Sequence, residues 1–263
     1  MFERAILAGV VMLAVALPGG AQQGGDIEAQ ILYAFHTEDR HQLADLISGL
    51  QARSGAGRSD DSLRYHLAHA QYRLGRLLRA AHDAAPAHDA APARDGAPAR
   101  DADAAFSDCV DELKPARRAN ASAEAMALQS ACYGELADSS RLEAVILRGR
   151  AADRLDAAYR LSPSNPRVNL LMAMNGLEHS PPGSAQHERA FAQLQRAAEL
   201  FDRSPATAAD APGWGHAEAY LALGRELLLR GEFLGARNWV EKSLIAAPDF
   251  KAAQLQLAAI ERR

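Results

Sequence analysis

The sequence predicts an all-α protein built as an array of antiparallel helix pairs, and three observations predict it. Apolar residues make up 48% of the chain but aromatics only 6%, so the core must be assembled mostly from alanine and leucine, the strongest helix formers. Valine, isoleucine and threonine are sparse after the first residues, which removes the usual material of a sheet. Tyr220, Leu223, Gly224 and Leu227 are followed by Ala236, Val240, Ser243 and Pro248, a spacing that describes two helices crossing at small residues and closed by a proline turn. Ala151, Leu155, Ala158 and Pro163 repeat the second half of that pattern without a gap.

Taken in order, Asp26 can cap a first helix carrying Ile27, Ile31, Leu32 and Phe35. Thr37 can cap a second, where Leu43, Leu46, Ile47 and Leu50 fall at i, i+3, i+4 and i+7. Ser54-Gly55-Ala56-Gly57 ends it. Ser59 and Asp60 start a third helix with Leu63, Leu67, Ala70, Leu74, Leu77 and Leu78, in which Tyr65, Ala68 and Tyr72 approximate the spacing of Tyr220 and its followers. A helix over 102–113 turns Phe106 and Cys109 inward. The next pair covers 123–134, with Met126, Ser130 and Tyr133, and 142–161. Pro166 opens another helix at its first turn, where a missing N–H costs nothing. Pro181, Pro182 and Gly183 break the chain into a loop over 179–186, after which Ala190, Leu194 and Ala197 mark a second helix. A loop over 204–215 holds Pro205, Pro212 and Trp214, and Trp214 is expected to pack over the start of the last repeat. A terminal helix spans 250–263.

Residues 82–104 interrupt the array. A six-residue unit rich in alanine, aspartate and proline is written nearly four times, with a proline in each of the first three copies. Nothing larger than alanine is apolar there, so the segment is expected to be a disordered insertion between two helices. His82 and His88 belong to this repetition and carry no metal-site signal.

The first 21 residues read as a secretory signal. Arg4 supplies the basic start, Ile6 to Leu17 the apolar stretch, Pro18 the break, and Gly19-Gly20-Ala21 the small residues for cleavage. The apolar run is short for a membrane span; an uncleaved N-terminal anchor is the alternative. The expectation is a periplasmic or secreted chain in which residues 22–263 form one helical domain, with no stable membrane insertion after cleavage. In that setting Cys109 and Cys132, the only cysteines, suggest a disulfide; two buried thiols filling small packing positions remain the alternative.

The pattern Tyr220-x2-Leu223-Gly224-x2-Leu227, then Ala236-x3-Val240, then Pro248, resembles the tetratricopeptide repeat, a helix-turn-helix unit of about 34 residues. The resemblance is strongest over 217–263, good over 123–200 and weak over 27–114. It implies a right-handed solenoid whose first helices face a concave, partner-binding surface. In the family's register that surface would carry His66, Arg73, Glu124, Glu135, Arg167, Met174, Glu218 and Arg225, each expected to be solvated, with Trp214 as a further anchor for a protein or peptide partner. The chain also looks like exported bacterial repeat proteins of undefined role, which implies a scaffold in the envelope. The alternative is a periplasmic accessory of a transport system, which a closed apolar pocket lined by Leu170, Met174 and Leu228 would mark.

Other functions find little support. A formal charge of −4 and no basic stripe argue against nucleic acid. Arg141, Arg148, Arg150, Arg154, Arg160 and Arg167 form a basic run punctuated by Glu143, Asp153 and Asp156, as on a salt-bridged solvated helix face. His66 and His69 lie at i, i+3 without a third ligand at fixed spacing, so one is read as packed and the other as near the surface. No phosphate loop or nucleophile motif occurs, and no cofactor, metal or catalytic residue is expected.

Overall fold

The structure is a computed structural model that describes residues 19–55, 60–84, 97–114, 122–140, 142–204 and 213–262. Its elements are all helices: α1 Gly19–His36, α2 Arg40–Arg53, α3 Asp61–Asp83, α4 Ala97–Glu112, α5 Ala123–Ser139, α6 Ala144–Leu161, α7 Pro166–Glu178, α8 Ala185–Arg203, α9 His216–Leu229, α10 Phe233–Ala246 and α11 Lys251–Glu261. No strand occurs among the described residues. The dominant packing is pairwise, α3 on α4, α5 on α6, α7 on α8 and α9 on α10.

Small residues set each close approach. A Cβ on Gly224 would stand 2.6 Å from Val240 Cγ2, one on Gly75 the same distance from Phe106, and one on Gly176 2.7 Å from Ala190. Those separations lie below van der Waals contact, so glycine lets the second helix of a pair lie against the first. Ala236, Val240 and Ser243 are fully buried, and Ala151, Leu155 and Ala158 are buried at the matching positions of α6. Hydroxyls then tie pairs together: Ser243 donates to the Ala217 carbonyl at 2.8 Å and Ser130 to the Ala151 carbonyl at 2.7 Å. Cys109 of α4 and Cys132 of α5 are disulfide-bonded and fully buried, joining one pair to the next.

Helix starts follow side-chain capping. Asp60, Ser122, Asn165 and Ser184 accept backbone N–H groups at the heads of α3, α5, α7 and α8. Two expected caps are corrected. Asp26 lies inside α1, which begins at Gly19. The cap of α2 is Asp39, which accepts from Gln42 N at 2.9 Å, while Thr37 donates back to the Tyr33 carbonyl and finishes α1. Both ends of the segment 82–104, expected to be an insertion, are helical instead. His82 and Asp83 complete α3, and residues 97–104 belong to α4, where Ala102 is fully buried and Asp103 pairs with Arg79 at 2.7 Å. Pro98 falls in the first turn of α4, where proline is tolerated. Residues 85–96 lie outside the described residues, as do 1–18 of the expected leader.

α1 is not a member of a repeat pair. Ile31 and Ala34 pack among Leu43, Ile47, Leu63 and Leu67 of α2 and α3. Leu32 leans on the cluster that contains Trp214. Phe35 reaches the far end of the array, with its ring centroid 6.3 Å from that of Phe250, just ahead of α11. α1 therefore lies across the first and last parts of the chain.

Candidate functional site

Charged side chains from the first helices of the pairs meet one another in the interior. Arg73 of α3 donates from Nη2 to Glu218 Oε1 of α9 at 2.6 Å. Glu218 Oε2 in turn accepts the Gly215 N–H at 3.0 Å, so the same carboxylate closes the head of its own helix. Glu124 of α5 accepts from Arg167 of α7 at 3.1 Å and from Asn165 at 2.8 Å. Trp214 stands among them, buried, with Nε1 donating to the Tyr65 hydroxyl at 2.7 Å. The guanidinium carbons of Arg73 and Arg167 lie 5.3 and 5.8 Å from its ring.

α1 completes this network. Glu28 points inward with 5% exposure, its Oε2 3.1 Å from His66 Nδ1. Its Oε1 lies 3.3 Å from His69 Nδ1, off the line of a hydrogen bond. Arg73 Nε donates to His69 Nε2 at 2.9 Å, so that nitrogen must be the acceptor and the ring proton sits on Nδ1, towards Glu28. Two turns along α1, Phe35 lies under the Arg73 guanidinium at 4.3 Å, and His36 Nε2 faces Glu218 at 3.8 Å without a hydrogen-bond partner. The contacts form a ring: Glu28, His69, Arg73, Glu218, His36 and back along α1.

Burial and pairing oppose each other on these groups. Burial pushes the Glu28 carboxyl up, but His69 and His66 outweigh it and hold it well below the usual carboxylate range. Burial also raises Glu218, and Arg73 and His36 bring it below that range. Burial pushes His69 down, with Glu28 opposing. The Tyr65 hydroxyl is pushed up by burial and by the nearby Glu124 and Glu28 charges.

The expected solvated face is therefore corrected at its centre. His66, Arg73 and Arg167 are buried, and with Glu124 and Glu218 they belong to one paired network; Trp214, expected to pack over the start of the last repeat, is buried just ahead of α9. Both His66 and His69 are buried against Glu28, so neither is a surface histidine. Glu135 pairs with Arg76 at 3.2 Å, farther along the interior; burial raises its carboxyl, with Arg76 opposing. Met174 is half-buried against the core, and Arg225 is exposed. The sequence reading missed Glu28 and His36. Glu28 had a signal: it is a charge inside the apolar stripe formed by Ile27, Ile31, Leu32 and Phe35.

A cleft of about 600 Å³ adjoins the network between α1, α9 and α10. Tyr33, His36, Tyr220, Lys242 and Ile245 line it, and Lys242 Nζ lies 4.2 Å over the Trp239 ring. This is not the pocket expected at Leu170, Met174 and Leu228, since Leu170 is part of the central core. No helix among the described residues is long and apolar enough to cross a membrane.

Stacked helix pairs crossing at glycine and alanine, with first helices turned to a common interior, define a helical-repeat fold of the tetratricopeptide type. The architecture is similar to that of a thermophilic TPR protein of Thermus thermophilus, with a TM-score of 0.56 and 18% identity over 93% of this chain and 100% of that one. No family model matches the sequence, and comparison with curated proteins finds no relative.

Proposed function

We propose that the protein is an exported, non-catalytic scaffold that holds a partner protein through the interior of its helical array. The observation that carries this reading is α1 itself. The interior already holds a helix, read residue by residue through Glu28, Phe35 and His36. A groove that seats one amphipathic helix by buried anchors has the means to recognise another. The ionisable groups there are paired with one another, which supports binding over catalysis. Export is supported by the leader pattern over 4–21 and by the buried disulfide, which suits an oxidising compartment.

A photo-crosslinking residue at Arg225, on the exposed part of α9, tests the reading in the native cells. Leu161, 59% exposed at the end of α6, is the control. A discrete protein adduct from position 225 and none from 161 is expected. Adducts from 161 alone would place docking on the outer surface and overturn the interior as the working face.

The transport-accessory reading has one supporting feature, the cleft with Lys242 over its aromatic floor. It requires a small organic anion that raises the melting temperature of the wild type and not of Lys242→Met.

A further inference from the structure

α1 packs its apolar residues Ile31 and Ala34 on α2 and α3, and its buried polar and aromatic residues meet histidines and partners far along the chain. Its carboxylate Glu28 rests between His66 and His69, its imidazole His36 faces Glu218, and its ring Phe35 is covered by Arg73. The backbone around it is simple: a tight turn at 37–39, with Glu38 at a φ of 56°, leads directly into α2.

We propose that α1 is a proton-released latch over the interior surface, with His69 as the group that opens it. This rests on the interior being the working face. The geometry fixes how the latch works. Arg73 donates Nε–H to His69 Nε2, which is possible only while that nitrogen keeps its lone pair. A proton taken from solvent at Nε2 sets N–H against N–H. Arg73 then loses an acceptor while remaining charged, and a second buried cation appears 2.9 Å from it. Because Arg73 also covers Phe35 and holds Glu218, which faces His36, its displacement reaches the C-terminal end of the α1 seat, while His69 itself lies against Glu28 farther back.

The charges around His69 favour this outcome. Glu28 on α1 and Glu218 on α9 attract the proton, Arg73 on its own helix repels it, and the complete burial of the ring disfavours the charged form most. Tyr65 and His66 of α3 lie alongside, Trp214 covers the ring at 5.3 Å, and Glu124 of α5 and Arg167 of α7 act on Tyr65. His69 is thus held neutral when α1 is seated. Release restores solvent to it, so the open form binds the proton more readily. Stability of the closed form is full above the ordinary histidine range, at 6.5, and falls as pH drops below it. Glu28 adds a second loss in the same direction below its ordinary value of 4.5.

The test is hydrogen exchange of the full chain, corrected for the intrinsic pH dependence of exchange. Between pH 7 and pH 5 the amides of residues 26–36 should lose protection, by up to about tenfold per pH unit for one linked proton, while α7 keeps its protection. His69→Gln offers Arg73 an acceptor that does not titrate. In that variant protection of α1 should be flat over the same range and fall only near pH 4. Glu28→Gln should leave α1 less protected at pH 7. Unchanged protection of α1 from pH 7 to 5 overturns the latch, as does simultaneous loss across α1 and α7, which is global acid unfolding. Crosslinking from Arg225 reads the partner reading separately: its absence with α1 release intact removes the scaffold reading and leaves the latch.

Discussion

Arg73 and Glu218 stand 145 positions apart in the chain and meet at 2.6 Å. Their side chains are 6% and 17% exposed, so the pair sits where a lone charge is costly. Arg73→Ala and Glu218→Ala should each destabilise by about 3–5 kcal/mol, because each leaves the other charge buried without its partner. The double variant should cost clearly less than the sum. Urea unfolding of the four proteins measures this, and simple additivity would mean that the two groups do not depend on each other. The pH dependence has a definite sign. Glu218 titrates below its ordinary value of 4.5 in the folded chain, so its contribution is complete above that pH and declines below it. Glu218→Gln should flatten the decline.

The disulfide acts on neighbouring pairs. Cys109 and Cys132 are 23 positions apart and join α4 to α5. Closing a loop of that length restricts the unfolded chain and should stabilise the fold by about 3 kcal/mol. Urea midpoints with and without reductant, compared with the Cys109→Ala and Cys132→Ala double variant, give the value. Alkylation of the denatured, unreduced protein from its native cells should label neither cysteine. Full labelling would show that the bond does not form in the cell.

Glycines divide into two kinds. Gly224→Ala puts a methyl 2.6 Å from Val240 Cγ2 and 3.1 Å from the Ala236 carbonyl oxygen. Overpacking of this kind should cost about 1–3 kcal/mol. Gly149 lies exposed in α6 with nothing within 4 Å of the added carbon. There alanine should stabilise by about 0.5–1 kcal/mol through helix propensity alone. Opposite shifts in melting temperature check both. Two shifts of one sign would mean that the close crossing of α9 and α10 is not what Gly224 supplies.

What the sequence showed and what it hid differ by range. The crossing residues Gly224, Ala236 and Val240 were legible because a 3.6-residue period and a small-residue contact are local properties. The same register named Arg73, Arg167 and Glu218 as inward-facing. It could not show that the first and last parts of the array meet, and that meeting buries residues expected to be solvated. Glu28 is read by a histidine 38 positions away, beyond any local pattern. Residues 97–104 were misassigned for a different reason. Alanine was counted as too small to pack, yet a helix crossing uses alanine for its smallness, and Ala102 is fully buried beside Ala68 and Tyr72.

Trp214 gives the network its apolar centre and one directed bond. Tyr65→Phe removes the hydroxyl and leaves the indole N–H buried without an acceptor, which should cost about 1–3 kcal/mol. Trp214→Phe removes the donor and some volume, and it leaves the Tyr65 hydroxyl without its donor. In the double variant no polar group is orphaned, so its cost should approach the volume loss alone and fall below the sum of the singles by about 1 kcal/mol. Trp214→Ala is different in kind, since it empties a site covered by both Arg73 and Arg167 and should cost about 3–5 kcal/mol. Urea unfolding with near-ultraviolet dichroism reads stability and packing together. If the two single variants are additive, the 2.7 Å contact between Trp214 and Tyr65 contributes nothing directed, and burial alone holds the tryptophan in place.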